Sequence, residues 1–146
     1  IHALHAYDYT KEAYEACGFR FPSGGTAHTF DFVYPGKLNN CEGCHVEDGF
    51  YPVDPTQVLG TTVDANDPAD VTDDVVVSPN SAVCSSCHVS DLAANHMRQN
   101  GGDFDARKDV DSNLVSSGNE TCQLCHGPGA SADTAVIHGV GEFQYN

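Results

Sequence analysis

The chain has 146 residues, the length of one ordinary domain, and carries 21 acidic against 6 basic side chains for a net charge of −15. That balance excludes a nucleic-acid binder, which needs basic patches, and disfavours docking on an anionic membrane surface; no apolar run approaches the ~20 residues that span a bilayer. Leu, Ile, Val and Phe together number 30 residues, so few for so charged a chain that the composition borders on the disordered class unless something other than side chains fills the interior.

Residues 1–17 read as partly helical, with His2 and His5 three apart on one face and a helical turn or two over Lys11 to Ala16, stopped by Gly18. Pro22, Gly24 and Gly25 make a loop. Phe30, Phe32 and Tyr34 alternate with Asp31 and Val33, which predicts a short strand turned by Pro35-Gly36. Residues 46–80 hold no clear period, are punctuated by prolines, and predict a long acidic loop with a short strand at Val75 to Val77. The best helix follows, with Ser90 as N-cap, Asp91 in the first turn and Gly101-Gly102 as the stop. A polar loop over 103–118, a short helix from Glu120 to His126, a break at Gly127-Pro128-Gly129 and a tail with His138 complete the chain. The predicted fold is one domain over 1–146, mostly irregular, with short α-helices and little β structure.

Three copies of Cys-x-x-Cys-His punctuate this chain: Cys41 to His45, Cys84 to His88 and Cys122 to His126. This is the attachment signature of c-type haem. The two thiols of each copy add across the two vinyl groups of one porphyrin, and the adjacent His binds the iron from the proximal side. Zinc is the competing reading of Cys-x-x-Cys, but six Cys and three His do not divide into four-ligand sites, and zinc has no need of a His directly after each pair. A thioredoxin-like motif would occur once beside a βαβ pattern, and disulfides closing such short loops would remove little chain entropy. Three covalent haems, held by Cys41, Cys44, Cys84, Cys87, Cys122 and Cys125 with His45, His88 and His126 as proximal ligands, also supply the missing core. The apo chain is therefore expected to be unfolded. The starts are 43 and 38 residues apart, which marks a repeated cofactor and not a repeated fold.

Eight His are present; with three proximal, His2, His5, His28, His96 and His138 remain for the three sixth positions. The expected distal set is His5, His96 and His138, with His2 and His28 as alternates or as ligands to an iron in another subunit. Met97, the single Met, lies on a different face of the helix from His96. Iron held by two His is closed to substrate and only passes electrons. A surplus of distal candidates therefore predicts an electron-transfer protein and not an enzyme with an open haem. Cys17 is left over and reads as a small buried residue or an intermolecular link. The Asp clusters at 64–74 and 103–111 offer oxygen ligands of the kind Ca²⁺ takes, but without EF-hand spacing, so solvated acidic loops are the expectation.

The stretches IHALHA, HTFDFVYPGKLNNCEGCHV, SAVCSSCHVSDLAANHMRQNGG and ETCQLCHGPGASADTAVIHGV resemble the last three haem sites of the outer-surface decahaem cytochromes, the OmcA/MtrC family. The likeness spans most of the chain outside 46–80; the ten haems and β-barrel domains of that family are cut down here to three motifs. It implies that His96 and His138 are distal ligands, that His2, His5 and His28 belong to the same set, and that the function is extracellular electron transfer to minerals, flavins or other cytochromes. The chain is then expected at the cell surface or outside it, or else in the periplasm. It reads as a mature form whose signal peptide is gone, since haem is attached outside the cytoplasm. It is expected to assemble as a homo-oligomer or filament forming a haem wire, with a soluble shuttle or a piece of a larger cytochrome as the alternative.

Overall fold

The computed structural model describes residues 2–6, 34–46, 49–53, 60–63, 67, 69–111 and 119–140. The expected helix over Lys11 to Ala16, most of the strand at Phe30 to Tyr34, His28 and Cys17 lie outside the described residues. The elements in order are α1 (His2–His5), a 3₁₀ turn (Cys41–Gly43), β1 (Thr61–Val63), β2 (Val75–Val77), α2 (Pro79–Cys84), α3 (Asp91–Gln99), β3 (Ala106–Arg107), α4 (Gln123–His126) and α5 (Thr134–Ile137).

The three valines of β2 suit the pleated backbone because their branched side chains crowd a helix and pack well on a sheet. β2 is the centre of an antiparallel sheet of order β1-β2-β3, with Thr62 opposite Val76 and Val76 opposite Ala106. Val76 and Ala106 are buried. Of these three strands the sequence placed only β2, at Val75 to Val77; β1 falls elsewhere in the long loop over 46–80, and β3 in the polar loop over 103–118. Two or three residues of strand are too short to show alternation, so only pairing reveals them.

Helix α3 begins where the sequence places it. The Ser90 hydroxyl accepts from the Ala93 N–H at 3.2 Å, and the chain turns off at Gly101, whose φ of 87° suits glycine. Met97, not His96, is its buried residue. Helix α2 was not foreseen. It opens on Pro79, favourable at a first helical position, but Ser78 makes no cap of its own. Glu120 supplies the cap from 40 residues away: its carboxylate accepts from the Ser78 hydroxyl (2.7 Å), the Asn80 N–H (2.7 Å) and amide (2.9 Å), and the Ser81 N–H (2.8 Å) and hydroxyl (2.8 Å). Burial alone would raise the Glu120 pKa; these donors outweigh it and hold the carboxyl below its ordinary range. The third motif is thereby fastened to the helix that carries the second.

The acidic runs explain themselves locally. Asp67, Asp70, Asp103 and Asp109 each accept from the N–H two residues on, at 2.9 to 3.0 Å, the turn-making habit of a short carboxylate. Among the described residues, the buried apolar side chains are Ala6, Val76, Ala82, Met97 and Ala106. Beside them Ser78, Asn80, Ser81 and Asp74 are buried too. Small and polar groups therefore occupy the interior, and no described aromatic does. Among the same residues no helix is long and apolar enough to cross a membrane.

Candidate haem sites

The three motifs fold alike. In each, the carbonyl of the first Cys accepts from the N–H of the second Cys, at 3.1, 3.2 and 3.2 Å, and from the N–H of the His, at 2.9 Å in all three. One turn of chain thus brings the two thiols and the ring to one side, whatever precedes it: a 3₁₀ turn at Cys41, the end of α2 at Cys84, the start of α4 at Cys122. The first Cys of each motif is half-buried and the second exposed. None of the six is disulfide-bonded. Burial pushes the Cys84 thiol up to about 11, helped by Cys122 and Glu120, and raises Cys41, Cys87 and Cys122 as well. A redox-active or metal-binding thiol is tuned the other way. Among the described residues, no three or more His, Cys, Asp or Glu converge as a zinc or calcium site would require.

What converges instead is pairs of imidazoles. The His45 ring lies 5.9 Å from that of His2, His88 lies 6.1 Å from His138, and His126 lies 6.1 Å from His96, centre to centre. Each motif His has one non-motif His opposite it. Two metal–imidazole bonds of about 2.0 Å plus the reach of each ring from centre to nitrogen span about 6 Å, so an iron fits between the members of each pair. The interplanar angles differ: 33° for His2 and His45, 53° for His88 and His138, 86° for His96 and His126.

Two of the pairs are crossed. His96, on the helix after the second motif, faces the third motif's His126. His138, after the third motif, faces the second motif's His88. Sequence order suggested no such exchange. The expected distal set named His5 with His2 as an alternate, but the ring opposite His45 is that of His2, and His5 lies 4.6 Å from Tyr34. Three residues apart on one short helix, the two stand about 4.5 Å apart along its axis, and the one ring meets His45 where the other meets Tyr34. Burial lowers the His2 pKa, which favours the neutral, metal-binding form.

Second contacts aim two of these rings. The His126 Nδ1 lies 3.1 Å from the Ala132 carbonyl, and the His138 Nδ1 lies 2.9 Å from that of Thr134. A ring that donates through Nδ1 to a carbonyl presents the Nε2 lone pair outward, as metal-binding His does. Asn39, just before the first motif, donates from its side-chain amide to the His138 carbonyl at 2.9 Å, and the Gln123 amide donates to the Val53 carbonyl. These polar anchors, with Glu120, are residues that reasoning on the sequence missed. No spacing signals them, because each reaches across at least 39 residues.

Several of the exposed large apolar side chains stand close in sequence to the paired His. Val46 follows His45 and is 78% exposed; Leu92 stands one turn before His96; Leu124, two residues before His126, is 80% exposed; Val136 and Ile137 precede His138. Apolar groups so placed are positioned to cover a flat apolar disc.

The family described as outer membrane cytochrome MtrC/MtrF-like, domains II/IV, matches residues 1–139. No curated protein and no solved structure matches the chain.

Proposed function

From the premise that this chain belongs to the MtrC/MtrF-like outer membrane cytochrome family, domains II/IV, we propose that it transfers electrons through three covalently bound c-type haems, each held between two His. The observation that carries this reading is the pairing of every motif His with one non-motif His at 5.9 to 6.1 Å. The proximal and distal ligands are then His45 with His2, His88 with His138, and His126 with His96; Cys41 and Cys44, Cys84 and Cys87, and Cys122 and Cys125 hold the porphyrins by thioether bonds.

Bound haem supplies a reversible one-electron couple at iron. The chain's residues do the rest. With haem bound, each pair of rings would hold its iron from two sides and leave no place for a substrate, so the protein would act as a carrier and not an enzyme. The motif turn fixes each porphyrin edge, and Val46, Leu92, Leu124, Val136 and Ile137 shield the faces. Glu120 and the crossed pairs hold the second and third sites together, which favours passage between them. The acidic surface suits a donor or acceptor that presents positive charge. The membership points to extracellular electron transfer at the outer membrane or beyond, with other redox proteins or extracellular acceptors as partners.

Our finer reading is a repeating unit of an extracellular haem wire. With His2 turned to His45, the imidazoles left to reach an iron of a neighbouring copy are His5 and His28. Copies joined head to tail without closing give an open helical polymer.

Intact-mass analysis of the native protein tests the first reading: three haem additions are expected, with all iron low-spin. Two or fewer additions, or a high-spin fraction, would overturn it, the latter in favour of an oxyanion reductase. Sedimentation tests the second: a monodisperse monomer would end the wire reading and leave the shuttle.

A further inference from the structure

Residues 126–138 carry a ring from each of two different pairs: His126, opposite His96, and His138, opposite His88. Both rings are aimed by carbonyls of one short segment: His126 by that of Ala132, just before the α5 cap Asp133, and His138 by that of Thr134, the first residue of α5. The loop is also tied to the third motif, through the Ala132 N–H to the Cys125 carbonyl at 2.9 Å and the Thr134 hydroxyl to the His126 carbonyl at 2.6 Å.

One carboxylate fixes that loop. Oδ1 of Asp133 accepts from the Tyr51 hydroxyl at 2.7 Å, the Ala135 N–H at 2.9 Å and the Val136 N–H at 3.4 Å. Oδ2 accepts from the Gly129 N–H at 2.7 Å, on a residue whose φ of 72° lets the turn fold back. Tyr51 belongs to the segment after the first motif, outside both crossed pairs. The Ala132 carbonyl shares a peptide plane with the Asp133 N–H, and the Thr134 carbonyl shares one with the Ala135 N–H that the Asp133 carboxylate holds, so a shift of Asp133 would turn both carbonyls, and with them the two rings they aim.

We propose that Asp133, clamped by Tyr51, is a positioning residue that sets the axial ring orientation at both the His88–His138 and the His126–His96 sites. This rests on the three-haem reading above. The orientation and basicity of an axial imidazole follow the hydrogen bond at its other nitrogen, so ligand field and reduction potential respond to this one loop at two centres at once.

Low-temperature electron paramagnetic resonance of the holoprotein, with potentiometric titration, tests it. Wild type should give three low-spin signals, of which His138→Ala removes one and His96→Ala another; failure there would overturn the three-haem reading itself. Asp133→Ala should then shift the same two signals, and their midpoint potentials, and leave the His2–His45 signal in place. Asp133→Asn should act more weakly, because its amide oxygen keeps the Tyr51 and Ala135 bonds and loses the one from Gly129. Tyr51→Phe, which keeps the loop's own bonds, should shift the same two signals least. Three unmoved signals would overturn the proposal while leaving the haem reading intact. A shift at the His138 site alone would reduce Asp133 to a helix cap. Equal shifts at all three would mean general loosening, and would equally refute it.

Discussion

At the scale of the residue, a few polar side chains do work that a larger apolar core does elsewhere. Glu120 is the clearest: five donors from three residues meet one carboxylate. Its removal leaves the start of α2 uncapped and several partly buried donors unpaired, so Glu120→Ala should destabilise the holoprotein by about 2–3 kcal/mol in denaturant unfolding. The sign with pH follows from its depressed folded pKa: the contribution is full above the unfolded value of about 4.3 and fades as pH falls through the folded one. Acid unfolding of Glu120→Gln, which cannot titrate there, should therefore show a shallower dependence on pH below about 4.3 than wild type; an unchanged slope would remove Glu120 from the acid response. His2 and His5 separate in the same way: His2→Ala should turn one haem high-spin, and His5→Ala should leave the spectrum of the isolated subunit unchanged.

At the scale of the element, the exchange of rings between α3 and the end of α5 decides how the second and third sites form. Neither site gains both its rings until the two motif segments have met, so they should assemble cooperatively. His96→Ala should change the haem attached to Cys122 and Cys125, not the one attached to Cys84 and Cys87 that lies nearer in sequence; proteolytic haem peptides or selective loss of a resonance will show which. The ring planes add a spectroscopic expectation. Axial imidazoles near perpendicular leave the iron orbitals closer to degenerate than parallel ones do. The site between His96 and His126, at 86°, should therefore give the most anisotropic low-spin signal, and the site between His2 and His45, at 33°, the most rhombic. Three identical signals would contradict that order.

At the scale of the whole molecule, the described interior is three alanines, one valine and one methionine beside four polar residues. Over the whole chain, Leu, Ile, Val and Phe number 30 of 146 residues against a net charge of −15, too little apolar material to offset the ordering entropy. The porphyrins are the expected remainder of the core, so the chain made without haem attachment should be largely unfolded by far-ultraviolet circular dichroism, with no cooperative thermal transition. A native-like spectrum and a sharp transition in the apo chain would refute the view that the cofactor is the core.

The attachment chemistry proposed here was legible in the sequence by itself. Cys-x-x-Cys-His is a local instruction, completed within one turn by bonds to the first Cys carbonyl, so neither the neighbours nor the fold are needed to read it. The same holds for α3, whose cap, first-turn acid and terminal glycine lie within a dozen residues. Only the tertiary structure decided which imidazole faces which motif: His2 rather than His5, and His96 and His138 crossed. It alone placed β1, β3 and α2, and it alone found Glu120 and Asp133. Each of these depends on groups a dozen or more residues apart in sequence meeting in space, from Val63 and Val75 across β1 and β2 to Ser78 and Asp103 beside the Glu120 clamp. Side chains distant in the chain carry no periodicity that marks them as partners, and the geometry of contact exists only once the chain has folded.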